Sequence, residues 1–154
     1  MSPAEALRTA TAAATETAGE ALAARLQAGD VVLIEGDLAA GKTTLVRGMV
    51  RGLGGEEHAV SSPTFVLVQT YDCSRGGVRA VHHVDLYRLG ERVADLRELG
   101  LEELLSDPGA VVAVEWPKDT LAAWIPADAR TWWVEISTDD DDSRSIRIHR
   151  PHTR

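Results

Sequence analysis

Apolar and polar residues follow two rhythms along this chain, one helical and one of short unbroken runs. Residues 11–26 are dense in Ala, Glu, Leu and Arg, and Leu22 and Leu26 fall on one helical face, which predicts a helix. Gly29-Asp30 marks a turn, and Val31-Val32-Leu33-Ile34 then has the pattern of a strand buried on both faces. Residues 43–53 predict a second helix, closed by Gly54-Gly55. Residues 65–71 and 78–84 read as strands, with Ser74-Arg75-Gly76-Gly77 between them as a hairpin-like turn. Residues 93–106 alternate acids and leucines at helical spacing. Val111-Val112-Ala113-Val114 is a second buried run, and it ends on Glu115. Residues 131–137 and 145–149 predict a C-terminal β-hairpin over 130–150, and residues 1–10 are expected to be a flexible start. The order implies an α/β fold: one domain over 1–154, with a central mixed sheet, parallel plus antiparallel, flanked by helices.

Composition narrows the class. The chain has 154 residues, 44% hydrophobic and 26% charged, which suits one ordinary soluble domain with a real core. Sixteen Lys and Arg against 24 Asp and Glu leave a net charge of -8, unlike an autonomous nucleic-acid binder, which needs a basic face for phosphates. The single cysteine, Cys73, excludes an internal disulfide and fits a reducing cytoplasm. No apolar run approaches the roughly 20 residues of a membrane span, so no membrane role is expected. Glu5 and Glu16 interrupt the N-terminal stretch, and a secretory signal is not expected.

The sharpest chemical signal is Gly36-Asp37-Leu38-Ala39-Ala40-Gly41-Lys42-Thr43, a complete G-x-x-x-x-G-K-[ST] between a predicted strand and a predicted helix. Average residue frequencies place such a pattern in roughly one chain in 200 of this length by chance. Gly36 and Gly41 allow the tight turn that brings backbone N–H groups onto phosphate oxygens. The following helix adds its dipole and unpaired donors. Lys42 supplies charge to the β- and γ-phosphates, and the Thr43 hydroxyl is placed for Mg²⁺. Thr44 is placed to donate to the α-phosphate. A P-loop also needs an acid on the metal side. Glu115 ends one apolar strand in the manner of a Walker B acid, and Asp85 ends His83-Val84-Asp85.

Four motifs in order resemble one family. Gly36 to Thr44, Ser62-Pro63-Thr64-Phe65, His83-Val84-Asp85-Leu86-Tyr87-Arg88-Leu89 and Glu115-Trp116-Pro117 are similar to those of the TsaE (formerly YjeE) family. Gly100-Leu101-Glu102-Glu103 also resembles that family, and the likeness runs from about Thr11 to Trp116. The resemblance implies an ATPase using ATP and Mg²⁺ in the cytoplasm, a monomer or weak self-associate when alone. It implies work with the TsaB–TsaD pair, which transfers threonylcarbamoyl to N6 of the adenosine beside the tRNA anticodon. Contact with tRNA would then be indirect. By the same analogy, Ser62 to Phe65 would be a switch-like loop with Thr64 near the γ-phosphate or metal, and Asp85 and Glu115 would serve metal and water. Trp116 would lie against the nucleotide or a partner, and the adenine contacts would come partly from near Thr11. One departure is the Ala39-Ala40 pair, where the family usually has Gly-Ala. If position 39 needs a positive φ, Ala costs about 1 kcal/mol there.

Other features have plainer readings. On a strand, His83 and Asp85 share one face and His82 points to the other, with too few further ligands for zinc. Arg88 suits either an arginine finger in cis or a surface ion pair. Trp124, Trp132 and Trp133 read as core or interface aromatics. Asp139 to Asp142 lacks EF-hand spacing and reads as a solvated hairpin tip. Two rival functions remain open: a small-molecule P-loop kinase, and a nucleotide-gated assembly module that does not hydrolyse ATP. A direct tRNA binder ranks below both.

Overall fold

The computed structural model describes residues 4–37, 39–61, 68–87, 100–117 and 119–152. The chain forms β1 (Glu5–Thr9), α1 (Ala12–Ala23), β2 (Val31–Glu35), α2 (Lys42–Gly52), β3 (Val68–Arg75) and β4 (Val78–Asp85). It continues with α3 (Leu101–Leu105), β5 (Ala110–Glu115), β6 (Thr131–Thr138) and β7 (Arg144–His152). Among the described residues the strands join one seven-stranded sheet in the order β1-β7-β6-β2-β5-β4-β3. The centre, β6-β2-β5-β4, is parallel, and antiparallel strands flank it on both sides. This is the mixed α/β sheet that the sequence pattern implies.

The two unbroken apolar runs are explained by which core each residue enters. Val32 and Ile34 of β2, with Val111 and Ala113 of β5, face a core closed by α1 and α2. Val31 and Leu33, with Val112 and Val114, face a second core with Leu101 and Leu105 of α3 and Leu121. A strand feeding two cores has no polar side to show, so the usual alternation vanishes. The helices α1 and α2 lie in close contact. A Cβ on Gly48 would stand 1.9 Å from the Glu16 carbonyl oxygen, and one on Gly19 would stand 2.2 Å from that of Leu45. Side chains at these positions would force the helices apart.

Three readings change in detail. Glu5–Thr9 pairs antiparallel with β7 where flexibility was expected, and the Glu5 carboxylate accepts bonds from Arg25 at 2.7 and 3.0 Å. Alternation of polar and apolar residues over five positions is too short a signal to reveal such an edge strand. The strand β3 runs through Arg75, leaving Gly76 and Gly77, both with positive φ, as the turn. Asp139 to Asp142 does form the β6–β7 tip, but it is more than a solvated run. Arg8 of β1 bridges to Asp141 at 2.9 Å and Asp139 at 3.4 Å. Bonds from the Ser143 hydroxyl and N–H, then from Arg8, bring the Asp141 carboxyl down to about 2. Residues 65–67 and 93–99 of the expected elements lie outside the described residues.

Candidate nucleotide-binding site

The sheet's C-terminal edge collects the chemistry. β2 ends at Glu35, the loop 36–41 follows, and α2 starts at Lys42. Gly36 is required by its neighbour: a Cβ there would lie 2.3 Å from the Ile136 carbonyl oxygen of β6. Gly41 caps α2 with φ +105° and brings no side chain to the helix end. The first-turn N–H groups of α2 are therefore not capped by a side chain, and the helix end is suited to an anion. At α1, by contrast, the Thr11 hydroxyl accepts the Ala14 N–H at 3.0 Å. Ala39 adopts φ +60°, the strained case anticipated for a non-glycine residue at that position.

Lys42 is almost wholly buried, and its ammonium donates to the carbonyls of Gly36 at 2.7 Å and Asp37 at 2.6 Å. It also sits 4.3 Å from the centre of the Trp116 ring, a cation–π contact of about 0.5–2 kcal/mol. Burial pulls the Lys42 ammonium below its ordinary value, while Glu115, Asp85 and Asp37 pull it back up. Trp116 itself holds φ +57°, with its N–H donated to Ile34 at 3.3 Å and its ring 4.8 Å from that of Tyr87. A bulky residue in that conformation stores about 1–3 kcal/mol, and such strain collects at functional sites.

The two acids meet as neighbours. Asp85 and Glu115 are register partners on parallel strands β4 and β5, and both are buried. Glu115 Oε2 accepts the Thr43 hydroxyl at 2.9 Å, which ties β5 directly to α2. Asp85 Oδ1 accepts the Tyr87 N–H at 2.9 Å. Burial pushes the Asp85 carboxyl up, and Glu115 adds to this. The Tyr87 N–H, His83 and Lys42 act in the opposite sense.

Among the described residues, two cavities border the loop. One of about 160 Å³ is lined by Thr11, Ala39, Gly41, Thr44, Asp142 and Arg144. The other, about 560 Å³, opens beside Gly36, Asp37 and Trp116 and reaches Glu135, Ser145 and Arg147. The structure thus brings together Gly36, Asp37, Ala39, Ala40, Gly41, Lys42, Thr43, Thr44, Asp85, Glu115 and Trp116, with Thr11 at the rim. Leu38, Thr64 and Arg88 lie outside the described residues.

Two participants escape the sequence reading. Arg144 donates to the Ala39 carbonyl at 3.3 Å, and only the β6–β7 pairing carries so distant a residue to the loop. His83 donates to Glu115, a contact whose signal was available, since both stand on the same sheet face as Asp85. His82 does point the other way, to Thr70 and Asp107, each at 2.9 Å. Trp132 is a core residue whose indole N–H donates to Asp30 at 3.0 Å, and Trp124 and Trp133 pack at the edge of the second core. Burial raises the Cys73 thiol, which disfavours a reactive thiolate.

The family described as "Threonylcarbamoyl adenosine biosynthesis protein TsaE" matches residues 9–146. A relative from Streptomyces coelicolor, "tRNA threonylcarbamoyladenosine biosynthesis protein TsaE", is 46% identical over 64% of this chain and 64% of its own length. One from Synechocystis with the same description is 42% identical over 68% of this chain and 65% of its own. These matches span less than two thirds of the relatives' lengths. A Rickettsia bellii relative, again so described, is 36% identical over 87% of both chains. The "Crystal structure of Bacillus subtilus YdiB" superposes with a TM-score of 0.66 and 26% identity, covering 99% of this chain and 90% of that one. With a family match over residues 9–146, the chain belongs to the TsaE family.

Proposed function

We propose that this protein is a Mg²⁺-dependent ATPase that supports threonylcarbamoyl transfer to N6 of the adenosine beside the tRNA anticodon, acting with the TsaB–TsaD pair in the cytoplasm. One observation carries the reading: the Thr43–Glu115 bond, with Asp85 in register beside it, joins P-loop and carboxylates into one oxygen-rich corner. Mg²⁺ is typically held by one or two carboxylates together with phosphates and waters. Thr43 and Glu115 would hold it, with Asp85 at its side. The metal would supply charge neutralisation between the β- and γ-phosphates.

The chain's own groups account for the rest. The α2 amides and loop N–H groups bind the phosphates, and Lys42 has a third N–H for a phosphate oxygen beyond its two carbonyl partners. The small cavity at Thr11 and Thr44 receives the base side of the nucleotide. Asp85, with its raised carboxyl value, orients the attacking water and takes up its proton. In this reading turnover is slow until partners complete the site.

Phosphate release, measured with and without the partner pair, tests this reading. Release to water that rises with partners is expected. Transfer to a metabolite acceptor would indicate the kinase instead. Full pathway function in Glu115→Ala would make hydrolysis dispensable and leave an assembly module. Retention of tRNA by the isolated protein at about 0.15 M salt would overturn the indirect role assigned from charge.

A further inference from the structure

His83 has no part in the chemistry above, yet its ring is 0% exposed and stands among the groups that do. An imidazole in such a place loses its hydration, and an aliphatic side chain would fill the β4 position without that cost. Its bonds are specific. Nε2 lies 2.5 Å from Glu115 Oε2, the same oxygen that receives the Thr43 hydroxyl. On the ring's other side, Nδ1 lies 3.1 Å from the Tyr71 hydroxyl, which also bonds the Gln69 side chain.

A carboxylate oxygen offers lone pairs alone, so Nε2 meets the Glu115 carboxylate through its N–H. The Tyr71 hydroxyl, which can both donate and accept, bonds Nδ1 and the Gln69 side chain and fixes the ring from its other side. Both bonds to Glu115 converge on Oε2, so the carboxylate is oriented by two donors from two different elements, α2 and β4. Without the imidazole, a buried carboxylate beside Asp85 would keep one of those donors and gain freedom to rotate.

We propose that His83 is a positioning residue: it holds the Glu115 carboxylate in its metal-facing orientation, and Tyr71 orients His83 in turn. This rests on the Mg²⁺–nucleotide reading of the site. A group that orients a metal-ligating carboxylate acts on metal affinity, and its loss costs about 10–100-fold there.

The test is a titration of a fluorescent, non-hydrolysable ATP analogue, with Mg²⁺ and with EDTA, in four proteins. These are the wild type, His83→Gln, His83→Met and Tyr71→Phe, each checked for folding by thermal melting. Gln keeps an N–H donor at the place of Nε2, whereas Met keeps volume alone. His83→Met should lose about tenfold or more of the affinity gained on adding Mg²⁺, with its EDTA affinity unchanged, and His83→Gln should retain the gain. A full gain in His83→Met, or an equal loss in both variants, would overturn the assignment. If His83→Met does not fold, Tyr71→Phe decides: a reduced Mg²⁺ gain supports the chain of bonds, and an unchanged one refutes it. A wild type with no Mg²⁺ gain would instead refute the underlying nucleotide reading.

Discussion

Lys42 and Asp85 show how single residues are set for function at a cost to the fold. Burial drives Lys42 down and Asp85 up, and each is partly relieved by the other's charge. For Asp85 the sign of the stability effect follows directly. A carboxyl raised above its usual 3.8 favours the protonated form when folded. Its favourable contribution is present below 3.8 and is lost as the pH rises through the higher folded value. The variant Asp85→Asn should therefore melt at a higher temperature than the wild type at pH 7, with the difference shrinking below pH 3.8. A variant that melts lower at pH 7 would show that the ionised carboxylate is a stabilising group. At this scale the P-loop was legible because each position has a local reason. The Lys42–Trp116 contact and the strain at Trp116 were not, because both depend on strands far apart in sequence.

Elements were legible wherever their signal was local. The two apolar runs became β2 and β5, the helix after the loop became α2, and the C-terminal hairpin became β6 and β7. β1 was missed because its stability comes from pairing with β7 and from the Glu5–Arg25 bonds, neither visible within five residues. The glycines at 19 and 48 were equally silent in a one-dimensional reading, for their purpose is the contact between α1 and α2. That contact anchors the helix that begins at the phosphate loop. Gly48→Ala has its new methyl 1.9 Å from a backbone oxygen and should lower the unfolding free energy by at least about 2 kcal/mol in a denaturant titration. A change within about 0.5 kcal/mol would mean that the helices separate easily and the interface is not a fixed support.

Across the whole molecule, one sheet collects the chemistry at a single edge. The parallel centre points the ends of β2, β4 and β5 towards the same corner, the usual place for ligands in open α/β sheets. Among the described residues no helix is long and apolar enough to cross a membrane. The net charge of -8 gives the chain no overall attraction for a polyanion such as tRNA. The central claim is that the corner at Lys42 binds Mg²⁺–ATP. Isothermal titration of ATP with Mg²⁺ into the wild type and Lys42→Ala tests it most directly. The wild type should bind with one site per chain, and Lys42→Ala should bind at least about tenfold more weakly, the effect of losing about 1.4 kcal/mol. Equal affinity in the two proteins, or no binding by the wild type, would contradict it.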